Sequence, residues 1–346
     1  MVCSISAERP DVVIDWLYVV SIAVYFVIYN VLGWGLNIQF GIAGLLNFTY
    51  ITFVAAGAYF AGVAALPPAR GGISQTTYIL GWNLPFPMDM AVGAAAAGLL
   101  GVLVGFVALR KLRSDYQAIV TVSVGAVAFV IVSNNRSLFN GSDGIQGVPR
   151  PLDKALGGLD DQTFQYVFLA LITAIALVLW WIAYRVHRSP YGRILRAIRD
   201  DEDAVASLGK NVYRYKMSAF VLGSVYAGIG GAMFIEFIGT WNPSGWGSAE
   251  TFLIFSAVIV GGRGNNLGVV VGALLIPILF TEATRYIPAI PGQPNLISSL
   301  RGLIIGVLVI GTMWWRPQGI LPERRRRFTL PLVPTASRAL AEEVGA

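Results

Sequence analysis

Residues Gly192 to Gly209 read GRILRAIRDDEDAVASLG, and the surroundings of that stretch decide the fold class. Arg193, Arg196 and Arg199 precede four consecutive acids, Asp200, Asp201, Glu202 and Asp203. Arg196 and Asp200 stand four apart, a spacing that pairs side chains on one helix face. Such a segment belongs in water, yet it separates two long apolar runs, 164–184 and 215–238. The whole 346-residue chain is 55% hydrophobic and 13% charged, with a mean hydropathy of +0.65. A soluble domain carries about 25% charged residues, so this composition belongs in a membrane.

A spanning helix needs about 20 mostly apolar residues to cross about 30 Å of hydrocarbon. Runs over 14–33, 48–66, 89–109, 116–133, 164–184, 215–238, 266–284 and 299–315 meet that need. Two shorter runs, 36–47 and 250–261, are expected to be half-spans or broken helices supported by neighbours. The fold class expected is an all-α polytopic membrane protein with about eight to ten membrane helices. Counting all ten runs as membrane elements, with both termini cytoplasmic, places 19 of the 25 Lys and Arg residues inside, eight of them between Arg185 and Lys216. That asymmetry is the usual signature of topology. It accounts for the net charge of +6 without nucleic acid as a partner. The chain divides into a cytoplasmic segment 1–13, a membrane domain 14–316 and a basic cytoplasmic tail 317–346 whose arginines suit anionic lipid headgroups. Within the membrane domain, 134–163 is an extracytoplasmic loop and 187–213 a cytoplasmic one.

Single residues exclude several classes. Cys3 leaves no disulfide framework, and it lies too early to follow a signal peptide, so no lipid anchor is expected. The one histidine, His187, reads as an interfacial residue rather than a metal ligand or catalyst. An intramembrane enzyme would need a paired acid and base, a nucleophile dyad or a ligand set, and no catalytic or metal residues are expected. Acidic residues near the spans (Asp15, Glu236, Glu250 and Glu282) fall towards their ends, whereas an ion-coupled carrier needs ionisable groups at mid-membrane.

Glycines recur every fourth residue at Gly93, Gly101 and Gly105, with Ala97 between, and again at Gly264, Gly268 and Gly272; Gly223, Ala227 and Gly231 repeat the pattern. Residues four apart share a helix face, and small ones let helix backbones approach closely in lipid, so these are expected to pack helices together. Around residue 40, Gly41 and Gly44 interrupt an apolar run while Gln39, Asn47 and Thr49 bring polar groups to the same depth. Freed backbone groups are tolerated there only inside protein or beside a cavity, which makes these five residues the candidate substrate path. The competing expectation is that Asn47 merely caps the helix that follows.

The spacing Asp203-Ala204-Val205, then three residues, then Gly209 resembles the Glu-Ala-Ala-x-x-x-Gly cytoplasmic loop of ABC importer permeases. Further segments follow in order: LRSDYQAIVT (112–121), GSDGIQGVPRP (141–151), SPYGRILRAIRDDEDAVASLG (189–209), GGRGNNLGVVVGALL (261–275) and WRPQGILP (315–322). Together they are similar to the LivM-type permease subunits of branched-chain amino acid ABC importers, over about residues 33 to 322. The resemblance implies a type II-like importer permease of the bacterial inner membrane. It makes 192–209 the coupling helix, with Arg193, Arg196, Arg199, Asp200, Asp203 and Ala204 against an ATPase and Gly209 ending the helix. It implies as partners a second, LivH-like permease subunit, two ABC ATPase subunits that carry ATP-Mg, and an extracytoplasmic solute-binding protein. No Gly-x-x-x-x-Gly-Lys-Ser/Thr loop is present, so no cofactor or nucleotide is expected on this chain itself. Asn47, Phe48 and Thr49 replace the family's usual serine or acid, leucine and glycine, which leaves open whether the solute is a branched-chain amino acid or another small polar molecule such as urea or an amide. A stand-alone secondary transporter is the alternative from a different class.

Overall fold

A computed structural model describes residues 16–68, 78–110, 114–152, 158, 160–285 and 296–323. The expectations for segments 1–13 and 324–346 lie outside the described residues. Long helices dominate: α1 (Trp16–Leu36), α2 (Tyr50–Ala65), α3 (Met88–Ala108), α4 (Ser114–Asn134), the short α5 (Arg136–Phe139), α6 (Asp161–Arg188), α7 (Pro190–Asp200), α8 (Glu202–Ser207), α9 (Val212–Ile238), α10 (Ser248–Gly261), α11 (Asn266–Ala273), α12 (Thr281–Arg285) and α13 (Leu296–Trp315). Seven helical stretches among the described residues are long and apolar enough to span a membrane.

The run 36–47 is not an element of its own. Helix α1 continues without a break into a wide π turn, Asn37–Ile42, giving one 27-residue span. That changes the path of the first span. Near its start, Ser21 Oγ donates to Gln165 Oε1 (3.3 Å) in the first turns of α6, and Tyr18 bonds Glu282 at the end of the α11–α12 region. Its far end meets Arg199 of the charged stretch. Trp16 and Glu323 therefore lie at opposite ends of the bundle, while the termini themselves, 1–15 and 324–346, lie outside the described residues. A second π turn, Leu274–Phe280, contains Pro277, which has no N–H to give and whose ring displaces the preceding turn.

The packing centre is α9, held against α1, α2 and α3. Its glycines set the spacing. A β-carbon on Gly228 would stand 2.5 Å from that of Ala97, and one on Gly231 would collide with the Val54 carbonyl of α2. In the same way a β-carbon on Gly93 would lie 2.5 Å from the Gly57 carbonyl, on Gly101 2.8 Å from the Ser224 side chain, and on Gly105 2.7 Å from Met217 Sδ. Gly268 and Gly272 press α11 on α10. Gly264 does not belong to that ridge: it sits in the turn before α11 with φ +79°, because the chain must reverse between the two helices.

The outer face is built, not loose. Strand β1 (Ile145–Gln146) pairs antiparallel with β2 (Thr240–Trp241), Ile145 opposite Trp241, and Arg150 bonds Asp161 at 2.6 Å while covering the Phe164 ring. By contrast α4 and α13 stand at the periphery, with Ile119, Val127, Ile131, Leu303, Val307 and Ile310 exposed.

Two expectations follow. Gly231→Val should cost about 1–3 kcal/mol through overpacking, read as a lowered unfolding midpoint in detergent, whereas Gly302→Val, where nothing lies within 4 Å, should leave the midpoint unchanged. In a Cys3→Ser background, a membrane-impermeant maleimide should label Trp16→Cys and Ser244→Cys from one face and Leu208→Cys from the other.

Candidate functional site

The π turn ends at Ile42, and the chain turns back into the bundle through Gly44, whose φ is +72°. Several polar groups at this break are taken up nearby. Leu45 N donates to Gln39 O (2.8 Å) and Ala43 N to Ile38 O (3.2 Å). The Gln39 side chain, fully buried, donates to Phe220 O (2.6 Å) and accepts from Asn47 Nδ2 (2.9 Å). Asn47 Oδ1 accepts from Thr49 N (3.3 Å), so Asn47 closes the turn ahead of α2 while Thr49 occupies the cap position itself. Asn37 accepts from Gly264 N (2.8 Å) and donates to Asn266 Oδ1 (3.0 Å), which ties the π turn to the α10–α11 turn.

Beyond this knot, α2 faces α4 and α10 across a seam of hydroxyl groups. Thr49 and Thr52 share a hydrogen bond of 2.8 Å, Phe48 N donates to Thr121 Oγ1 of α4 (3.3 Å), and Ile51 N donates to Thr251 Oγ1 of α10 (3.2 Å). Gly125 leaves the room that Thr49 occupies. On α4, Gln117, Thr121, Gly125, Phe129 and Ser133 recur every four residues and so form one stripe. Gln117 Nε2 and Ser133 Oγ are buried without a hydrogen-bond partner. Near the outer end, Phe129 meets Trp246 edge-on (5.5 Å between ring centres), Trp246 Nε1 donates to Tyr59 OH (3.4 Å), and Tyr59 stacks on Phe139 (4.7 Å). Glu236 is buried in the last turn of α9, near its end.

The charged stretch forms two helices, not one. Ser189 caps α7, accepting from Gly192 N (3.1 Å), with Pro190 at the first helical position. Asp201 adopts extended backbone and caps α8 through Ala204 N (3.0 Å), which is why the helix breaks there. Leu195, Ile198 and Val205 are buried, while Arg193, Asp200, Asp203, Ala204 and Gly209 stand open, and Gly209 (φ +74°) ends the segment. Between them Leu208 is 78% exposed.

Arg196 and Arg199, expected from the resemblance to meet an ATPase, pair within this chain. Three residues apart, they share the α7 face that looks at the chain's own C-terminal segment. Arg199 Nη2 reaches Glu323 Oε2 at 3.0 Å and its Nη1 donates to the Gly41 carbonyl; Arg196 Nη1 reaches Glu323 Oε1 at 3.4 Å and His187 O at 3.2 Å. A carboxylate as enclosed as Glu323 requires such partners. Gly41 and Gly44, read as path residues, thus touch the charged stretch directly. The sequence reading missed Gln117, Thr121, Thr251, Asn37, Asn266 and Glu323; only the four-residue period of the α4 stripe was there to be seen.

The model of the family described as branched-chain amino acid transport system / permease component matches residues 18–313. The chain belongs to that family. It is 32% identical to the high-affinity branched-chain amino acid transport system permease protein LivM of Salmonella typhimurium, over 92% of this chain and 75% of that one. It is 26% identical to the probable LivM permease of Methanocaldococcus jannaschii (88% and 93% covered) and 25% identical to the LivH permease of Escherichia coli (82% and 90% covered). No solved structure matches. Likeness to both LivM and LivH places this LivM-type permease among the paired permeases of a multi-subunit transport system, as a multi-pass protein of the inner membrane. The family match takes in the break, the hydroxyl seam and the charged stretch alike.

The knot around residue 40 predicts a large cost for breaking it. Asn47→Leu leaves Gln39 Oε1 and the Thr49 amide unpaired in a buried site, a loss of about 1–3 kcal/mol for each abandoned group, measurable as a lower unfolding midpoint of the purified permease.

Proposed function

We propose that this chain is the permease subunit of an ATP-driven importer of branched-chain amino acids, coupled to a separate ATPase through α7 and α8. The observation that carries the coupling assignment is Leu208, an apolar side chain left 78% exposed at the cytoplasmic face between the acids 200–203 and Lys210. A lone exposed leucine between a short helix and a glycine turn suits a groove on a partner protein, and Asp200 and Asp203 beside it suit a basic rim. The nucleotide belongs to that partner, since this sequence has no phosphate-cradling loop.

The solute's route runs along the α2–α4–α10 seam. Thr49, Thr52, Thr121, Thr251 and Gln117 offer uncharged donors and acceptors, with Phe129, Trp246 and Tyr59 closing the outer end. Such a lining suits a small solute whose charges balance, an amino acid among them, and it equally admits an amide or urea. The exposed side of α4 is where the second permease subunit packs, and the β1–β2 face with Arg150 is where a solute-binding protein docks.

The experiment is co-purification from cells expressing the chain with its operon. Wild type should bring down an ATPase subunit, and Leu208→Glu combined with Asp203→Arg should reduce that recovery at least tenfold without changing the amount of permease in the membrane. ATP-dependent uptake into vesicles, challenged with leucine, isoleucine, valine, urea and acetamide, then assigns the solute. Uptake by the permease alone without ATP would instead establish a secondary transporter.

A further inference from the structure

Four separate parts of the chain converge on one carboxylate. Glu323 follows the segment 318–322, which is pinned along the end of α10: Ile320 N donates to Val260 O (2.9 Å), Leu321 N to Gly261 O (3.0 Å), and Asn265 Nδ2 to Leu321 O (3.2 Å). So held, the Glu323 side chain is only 13% exposed and meets Arg199, itself 12% exposed, and Arg196. Arg199 in turn donates to the Gly41 carbonyl, the last turn before the break in α1. Glycine is required around this pair: a β-carbon on Gly264 would stand 2.7 Å from Glu323 Oε2, and one on Gly44 2.7 Å from Arg199 Cγ.

The arrangement is more than a surface ion pair. One guanidinium bridges a carboxylate and a backbone carbonyl, in the fork geometry that arginine offers and lysine does not. Glu323 sets where Arg199 points, and Arg199 holds the π turn whose other residues, Gln39 and Asn37, organise the entry to the hydroxyl seam. The small-residue crossings of α2, α3 and α9 are too tight to slide, so movement of α7 reaches the membrane interior through this polar joint.

We propose that Glu323 is a positioning residue for transport: with Arg199 it tethers the coupling segment α7–α8 to the broken end of α1, so that displacement of α7 is transmitted to the seam. The proposal rests on the coupling reading given above. It concerns a residue outside 192–209 and outside the seam.

The test uses the full complex, permease pair, ATPase and binding protein, in proteoliposomes, with solute uptake and ATP hydrolysis measured on the same preparation. Glu323→Gln keeps the shape and removes the charge; it should still bring down the ATPase and still hydrolyse ATP, with solute moved per ATP reduced at least tenfold. Arg196→Gln, which removes the longer of the two Glu323 contacts and leaves the Gly41 bond in place, should reduce the ratio less than Arg199→Gln. Glu323→Asp, which restores the charge one methylene short, should recover part of the ratio, a rescue that a merely structural role in assembly does not predict. A wild-type ratio in Glu323→Gln overturns the proposal. If Glu323→Gln does not accumulate, Glu323→Asp decides: a lowered ratio supports the tether and a wild-type ratio overturns it. Failure of the wild-type chain to recruit an ATPase would overturn the coupling reading itself, and is seen before any variant is made.

Discussion

A helix that stops among packed helices must dispose of backbone groups that no water reaches, and in this permease that constraint organises everything near residue 40. Each unsatisfied group would cost several kcal/mol in hydrocarbon. Partners far away in sequence meet the demand: Arg199 donates to the Gly41 carbonyl, Asn37 accepts from the Gly264 amide, Asn266 accepts from the Asn37 side chain, and the Phe220 carbonyl of α9 takes the Gln39 side-chain amide. The break therefore exists only once α9 and the α10–α11 turn are in place. Its geometry is a property of the assembled bundle, not of the segment.

The glycine crossings supply the rigid frame on which that knot is hung. With no hydrophobic drive between helices in lipid, close backbone approach and dispersion must hold α2, α3 and α9 together. Gly57, Gly93, Gly228 and Gly231 permit it by having no side chain to intervene. A frame so tightly meshed moves as a unit. At its edges α4 and α13 present exposed apolar faces.

The spans themselves were legible because a run of about 20 apolar residues has only one comfortable place to go. The run 36–47 was legible as a broken helix supported by neighbours but not as the end of the first span, because Asn37 and Gln39 look like an interruption when their partners are unseen; those partners lie at Phe220, Gly264 and Asn266. A π turn stabilised by tertiary bonds has no local signature. Gly264 matched a four-residue ridge by spacing, yet its positive φ belongs to a reversal that spacing cannot reveal. The break at Asp201 was within reach, since an aspartate three residues before Ala204 is a helix-start signal, but it lay hidden in a run of four acids. Glu323 was out of reach: beside four arginines it reads as one more charged tail residue, and its partner Arg199 precedes it by more than a hundred positions.

These observations bear on how force could travel through such a permease. Two routes connect the cytoplasmic tip to the seam. One is apolar, Leu195 of α7 in the main core with Ile198 packed on Val205 and Val212 beside it; the other is polar, from Arg199 to the Gly41 carbonyl. Apolar contacts resist separation weakly with direction, because a side chain that slides along a greasy surface loses little until it leaves. A bond aimed at one carbonyl oxygen weakens steeply with angle, and so fixes direction as well as distance. A transmission that must turn a helix end one way and not another is better served by the second kind of contact. That is the physical reason to find a charged, nearly buried joint where the water-facing segment of this chain meets the backbone of its broken span.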